Sequence, residues 1–309
     1  MYHRHAEPGS SAAYWEEFGS GSTLADHLRF CEVDPLRPLF ARFLRPGSIM
    51  LEGGCGRGQY VAYYSGGGVK VVGLDFARAW LAAAHAEMPS LMFCVGDVSS
   101  LPFPDDTFDV YYSGGVVEHF EEGAGPALDE ARRVLKRDGV LLLSVPYFSP
   151  LRRALSFVGR AEWRHVARAS IDEGPNGHLR FHQYAYTIPE FTRLLSSAGF
   201  RVIDTQGYAV VWGLYDLEPI RRAATRFERR RARSEPRAAG TKAGPRVALH
   251  GAQTSRNGSL LKRLVVAEDA TVPVAGWFVR MARSLCANMM MYVCTPTLSD
   301  VVQGVGCKA

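Results

Sequence analysis

No apolar run in this 309-residue sequence reaches the ~18 residues needed to cross a bilayer as a helix, so no transmembrane segment is expected. The opening residues, Met1-Tyr2-His3-Arg4-His5-Ala6-Glu7-Pro8, lack the apolar core of a signal peptide, which makes a cytoplasmic location the expectation. Cysteine is scarce: six residues, at 31, 55, 94, 286, 294 and 307, scattered without metal-ligand spacing. Reduced thiols and no metal site follow. Charge of one sign is also missing from most of the chain. The net charge is +5, yet between Ile220 and Arg246 ten Lys/Arg stand against only Glu228 and Glu235. The remainder is therefore mildly acidic, and nucleic acid is not an expected partner. With 47% hydrophobic and 22% charged residues, the chain reads as an ordinary globular protein of one large domain or one and a half.

One more absence is specific. Ile49-Met50-Leu51-Glu52-Gly53-Gly54-Cys55-Gly56-Arg57-Gly58 is an apolar run that ends in a carboxylate and breaks into glycines, as a buried strand does where it meets a ligand. Dinucleotide binders place a third glycine three residues after the second. Gln59 or Val61 stands there instead, depending on where the motif is started. A nicotinamide-dependent oxidoreductase is thereby disfavoured and kept as an alternative. What is present is E-G-G-C-G-R-G, an acid followed by G-x-G-x-G, which resembles motif I of the class I S-adenosylmethionine methyltransferases.

Downstream, Val69–Asp75 reads as a second buried strand whose terminal Asp75 can accept bonds from both ribose hydroxyls of an adenosine. The other reading of Asp75 is an N-cap for a helix over Ala77–Glu87, and the two roles can coexist. Leu91–Val98 reads as a third strand, ending in Asp97. Phe108–Ser113 reads as a fourth, Ala127–Lys136 as a helix closed by Asp138-Gly139, and Val140–Val145 as a fifth strand. Strands alternating with helices at this spacing imply an α/β, doubly wound parallel sheet with right-handed crossovers. On this reading Glu52, Asp75 and Asp97 close three successive strands and line one sheet edge.

The phrases G-D-V-S-S-L-P-F-P-D-D-T-F-D-V, V-V-E-H-F and E-A-R-R-V-L-K-R-D-G-V-L-L-L-S-V-P resemble the family named after its type 11 methyltransferase domain, from about Ile49 to Pro146. The resemblance implies a three-layer Rossmann-like fold of seven strands, with an antiparallel seventh strand between the fifth and sixth. It implies S-adenosylmethionine as cofactor, held by Glu52, Gly54, Cys55, Gly56, Gly58, Asp75, Phe76, Asp97, Val98 and Ser113. Asp97 and the next amide would recognise the adenine. The methyl donor is a ready electrophile, so the protein must chiefly align it with a nucleophile. An oxygen nucleophile benefits from a base, and His119 is the candidate, with an orienting or packing role as its other reading. His182 and Tyr184 are candidates for substrate contact, with His178 and Tyr186 near them, and Trp15 could cover the cofactor. The acceptor expected is a small molecule, or one linked to lipid or glycan. A non-catalytic S-adenosylmethionine-binding partner protein is a further alternative.

The remaining segments set the expected domain plan. Residues 1–47 form an N-terminal helical cap and 48–213 the methyltransferase core. Thr187-Ile188-Pro189-Glu190 is a capping box for a helix over Glu190–Ala198, and Phe200–Thr205 starts the sixth strand. Met289–Cys294 is the seventh, within a terminal segment 286–309. Residues 214–285 are then a basic, partly disordered insertion, with Ser234–Ser259 as its most mobile part. Ser149–Arg168 alternates apolar residues with Arg152, Arg153, Arg160, Arg164 and Arg168. It reads as a lid helix with solvated arginines, or as a peripheral membrane contact.

Overall fold

The computed structural model describes residues 24–158, 169–173, 179–223, 226, 268 and 275–297. Helices α1 (Leu24–Cys31) and α2 (Arg37–Phe43) lead into an alternating series. It comprises β1 (Ile49–Gly53), α3 (Gln59–Tyr64), β2 (Lys70–Asp75), α4 (Arg78–Glu87), β3 (Met92–Val95), β4 (Phe108–Gly114), α5 (Gly125–Val134) and β5 (Leu135–Pro146). Next come α6 (Pro150–Phe157), β6 (Ala169–Glu173), β7 (Leu179–Tyr184), α7 (Ile188–Ser197) and β8 (Phe200–Tyr208). The series closes with α8 (Val210–Leu214), α9 (Ala275–Cys286) and β9 (Met289–Pro296). Seven strands share one sheet in the order β3-β2-β1-β4-β5-β9-β8, with β9 antiparallel to both neighbours and the other pairings parallel. This is the doubly wound sheet expected from the sequence, antiparallel strand included.

The strands are apolar at successive positions because both faces of the sheet are covered. Leu51, Tyr111, Leu141, Leu143 and Tyr292 pack on the side of α5 and α7, with Leu128, Ala131, Phe191 and Leu195. Met50, Tyr112, Leu142, Met291 and Val293 turn the other way, towards Leu39 and Phe40 of α2, Val61 of α3 and Leu81 of α4. The N-terminal helices thus belong to the core layer of that face. Leu24 N–H donates to the carboxylate of Glu87, and the Tyr60 hydroxyl to Asp34, tying α1 and the loop after it to α4 and α3.

Several boundaries differ from the sequence reading. The third strand stops at Val95, so Asp97 lies beyond it in a turn bridged to Ser100. Asp97 Oδ1 accepts from the amide and hydroxyl of Ser99, and this local ring of bonds competes with continued pairing. The helix expected to reach Lys136 ends at Val134, and Lys136 to Gly139 belong to β5. Lys136 Nζ binds Asp109 Oδ1 at 2.7 Å, which draws this stretch onto β4, and a register shift absorbs the extra residues. Asp75 is not the N-cap of α4; Ala77 holds that position. The capping box is present: Thr187 N–H donates to Glu190 Oε2 at 3.0 Å, and the Thr187 hydroxyl reaches the same oxygen. The antiparallel pair β6–β7, apart from the main sheet, was not foreseen.

Arg152 corrects the reading of its segment. Its guanidinium is buried, with Nε 2.7 Å from Asp216 Oδ2 and Nη1 3.0 and 3.2 Å from the carbonyls of Tyr147 and Asn288. Nη2 also binds the Asn288 side chain. It is an internal clamp joining α6, the β5 exit and the α9–β9 junction, while Arg153 on the same helix is exposed. Residues 159–168 of that segment and Ser234–Ser259 lie outside the described residues. Of the insertion, Glu268 is buried and joins two helices: Val210 N–H donates to Oε1 at 2.7 Å, and Arg283 Nε lies 3.1 Å from Oε2. No helix among the described residues is long and apolar enough to cross a membrane.

Candidate functional site

The β1–α3 turn is built by three glycines in the left-handed region, Gly54 (φ 74), Gly56 (φ 53) and Gly58 (φ 73). Two of them are also sterically required. A Cβ on Gly58 would stand 2.5 Å from the Phe93 ring, and one on Gly54 would strike the side chain of Val116. At Gly56 the nearest atoms to such a Cβ belong to Trp80, at 3.5 Å. Here it is the backbone angle that calls for glycine. The turn is anchored to β2, because the Gly54 and Cys55 amides both donate to the Leu74 carbonyl, at 2.8 and 3.0 Å.

Asp75 closes β2 beside this turn. Its Oδ2 accepts from the Gly56 amide and its Oδ1 from the Ala77 amide, each at 2.8 Å. Burial raises its carboxyl above the ordinary range, and the amides oppose that shift. Glu52, the penultimate residue of β1, is 3% exposed and accepts at Oε2 from the Val61 amide at 3.1 Å. Burial pushes its carboxyl well up, and the nearby charge of Asp75 adds to this. The Cys55 thiol is buried and likewise raised, first by burial and then by Glu52 and Asp75.

The structure thus gathers Glu52, Gly54, Cys55, Gly56, Gly58 and Asp75 at one turn. Phe76 follows with a side chain that is 38% exposed, and Val98 is buried. Asp97 is exposed on its turn, so two carboxylates, not three, lie within the strands they were expected to close. Ser113 is buried, and its hydroxyl donates to the Gly53 carbonyl at 2.9 Å, a bond that joins β4 to β1.

Past β4, Gly115 (φ 73) leads into a 3-10 turn, Val117–His119. His119 is half-buried, with Nε2 4.0 Å from Glu118 Oε1. Strand β7 packs against this turn. The Tyr184 hydroxyl donates to the Glu121 carbonyl at 3.0 Å, which ties β7 to the segment that follows His119. Tyr186 is held at the exit of β5, its amide donating to the Pro146 carbonyl and its carbonyl accepting from the Phe148 amide. Trp15, His178 and the side chain of His182 lie outside the described residues.

Sequence reasoning passed over Glu118. It is 1% exposed, and its Oε2 has no hydrogen-bond partner among the described residues. Burial lifts its carboxyl to about 8. A charged residue just past an apolar strand end is the signal that the sequence offers for it. Among the described residues no cluster could hold a metal ion.

Residues 51–143 match the family model described as a methyltransferase domain. A Mycolicibacterium smegmatis protein named "probable S-adenosylmethionine-dependent methyltransferase" is 31% identical over 173 residues, which is 56% of this chain and 59% of that protein. The demethylmenaquinone methyltransferase of Beutenbergia cavernae is 30% identical over 188 residues, 59% of this chain and 76% of its own length. A solved chain from the complex between the Haloferax volcanii Trm112 methyltransferase activator and a methyltransferase shares the fold, with a TM-score of 0.52 at 19% identity. That match covers 93% of this chain and 97% of the other. The chain spans 36% to 59% of the length of several curated relatives that it matches.

Proposed function

Because this chain belongs to the class I S-adenosylmethionine-dependent methyltransferases, we propose that it moves a methyl group from S-adenosylmethionine to an oxygen of a small-molecule acceptor, or of one linked to lipid or glycan. The observation that carries this reading is the Asp75 carboxylate, fixed by the Gly56 and Ala77 amides at the tip of β2 beside three left-handed glycines. Two amides leave its oxygens with lone pairs to spare for a diol, and the glycines keep side chains out of a close approach. The turn residues fit an adenosyl ligand on that ground. Asp75 would hold the ribose, Glu52 would order the turn through Val61, and the Asp97 turn with Val98 would flank the base.

When bound, S-adenosylmethionine supplies an electrophilic methyl on a cationic sulfur. The protein's own part is orientation and exclusion of water: Ser113 pins β4 to β1, and the turn carrying His119 borders the glycine turn through Val116. His119 and Tyr184 would border the acceptor, with His182 as a further candidate contact. A relative named for demethylmenaquinone supports an apolar acceptor, and relatives named malonyl-[acyl-carrier protein] O-methyltransferases support oxygen. In domain terms, we read 48–213 with the last strand as the core and 214–285 as an insertion shaping the acceptor side. Separate calorimetric titrations with S-adenosylmethionine and with NAD(P) test the reading. Heat with the first alone is expected; heat with the second alone would return the chain to the oxidoreductases.

A peripheral membrane contact is a second element of the proposal. On α9, Trp277, Phe278, Met281 and Leu285 recur at helical spacing and are each more than a third exposed, as are Phe157 and Val158 at the end of α6. Exposed aromatic and aliphatic side chains, in a chain whose sequence also carries a strongly basic stretch, suit an anionic bilayer surface. Vesicles containing an anionic phospholipid should sediment the protein at low salt and release much of it at ~1 M salt, where the screening length falls to about 3 Å. Equal sedimentation with neutral vesicles would show that charge plays no part.

A further inference from the structure

The turn after β3 is gripped at both ends. At its start the Gly96 amide donates to the Asp75 carbonyl at 3.1 Å. At its end the Leu101 amide donates to Glu130 Oε2 at 2.6 Å, and the Leu101 carbonyl accepts from Arg133 Nη2 at 3.0 Å. Glu130 and Arg133 lie on α5 and pair through two bonds, Nε to Oε1 at 2.7 Å and Nη2 to Oε2 at 2.8 Å. Arg133 Nη1 goes on to the Phe103 carbonyl and to Asp105 Oδ1, each at 2.7 Å. One guanidinium thus ties residues 101, 103 and 105 to one helix. Its bonds hold the Glu130 carboxyl below the ordinary range. Such a set calls for arginine, whose planar fork presents several donors at fixed angles, where lysine offers a point charge.

Between the two grips lie Asp97 and Val98. The gripped stretch also folds back on its own start: a Cβ on Gly96 would meet the side chain of Leu74 at 3.0 Å and that of Pro102 at 3.6 Å. The Leu74 carbonyl is the one that receives the Gly54 and Cys55 amides of the glycine turn. Tyr111 of β4 makes a second link. Its hydroxyl stands where a side chain on Gly53 would have to go, and that hydroxyl is raised first by burial and then by the charges of Glu130 and Asp97. These contacts connect the α5 pair to the Asp97 turn and to the glycine turn.

We propose that Glu130 and Arg133 are positioning residues for the donor's base: they fix the Asp97–Leu101 turn from behind, and so set how well it tells adenine from the 6-oxo base hypoxanthine. This rests on the methyltransferase reading, in which that turn flanks the base. Adenine offers an amino donor beside a ring-nitrogen acceptor, and hypoxanthine reverses both. A carboxylate at 97 followed by a backbone amide matches the first and opposes the second. The discrimination lasts only while the turn is held, because a looser one can shift to suit either base. Asp97 Oδ1 accepts from both the amide and the hydroxyl of Ser99. The direction of its carboxylate is therefore tied to the backbone that the pair holds.

Calorimetry on the full chain with S-adenosylhomocysteine and S-inosylhomocysteine, which differ only in the base, tests the proposal. Wild type should prefer the adenosyl ligand by about thirtyfold or more. Arg133→Met should bind it about tenfold more weakly and bind the inosyl ligand nearly as before, so that the preference shrinks to about threefold. Glu130→Gln, whose oxygen can still accept from the Leu101 amide, should lose less than Glu130→Ala. Arg152→Met weakens the fold at another junction and should keep the wild-type preference, which separates positioning from general loss of stability. Equal losses for the two ligands in Arg133→Met, a matching loss of preference in Arg152→Met, or a wild type indifferent to the base would each overturn the proposal. A wild type that binds neither ligand would instead bring down the methyltransferase reading and the proposal with it. Should Met not be tolerated, Arg133→Lys, which keeps the charge but not the fork, serves the same comparison.

Discussion

Replacing Asp75 by alanine is expected to weaken S-adenosylmethionine binding about a hundredfold, or roughly 3 kcal/mol, the loss of hydrogen bonds to one charged acceptor. The carboxylate also receives the Gly56 and Ala77 amides, so alanine disturbs the turn as well as the contact. Asp75→Asn separates the two effects: its oxygen can keep one amide, but its NH2 faces the other as a donor against a donor. Calorimetry gives the affinity, and thermal melting in the absence of ligand gives the cost to the turn. A full loss of affinity with an unchanged melting temperature would locate the effect in the ligand contact. Unchanged affinity in both variants would remove Asp75 from the site.

Arg152→Met should destabilise the protein by about 2–4 kcal/mol, somewhat below the usual cost of breaking a buried ion pair, because its partner Asp216 keeps a quarter of its side chain in water. Methionine fills a similar volume, so the loss is polar. The carbonyls of Tyr147 and Asn288 lose their donor, and Asp216 its cation. Adding Asp216→Asn should recover part of that loss, since no unpaired carboxylate then remains. Denaturant midpoints of the two single variants and the double variant measure the coupling. A single-variant loss below about 0.5 kcal/mol, the range of ordinary surface changes, would mean that Arg152 is not a clamp.

What could be read beforehand was local in character. Apolar runs broken by glycine located β1, β2, β4 and the turn at Gly54, because a strand buried on both faces leaves an unbroken apolar trace. The capping box gave the start of α7 for the same reason: its bonds close within three residues. Asp97 was placed one element too early, since an Asp that bonds to Ser99 ends pairing without any change in hydrophobicity. Arg152 reads as a surface cation in the sequence because its partners at Asp216 and Asn288 are 64 and 136 residues away. No periodicity reports such a distance. Glu118 escaped notice because burial, which makes it unusual, is a property of the assembled edge and not of the phrase V-V-E-H-F.

In the ladder between β8 and β9, Tyr208 stands opposite Met289. The chain therefore leaves the sheet at Tyr208 and re-enters it at Met289, directly alongside. A segment mounted in this way can be lengthened, shortened or exchanged between relatives without altering the register of the β5, β8 and β9 ladders. Sequence change at that one junction would leave the turn at Gly54, further across the sheet, untouched, which makes the pair a natural splice point for chimaeras.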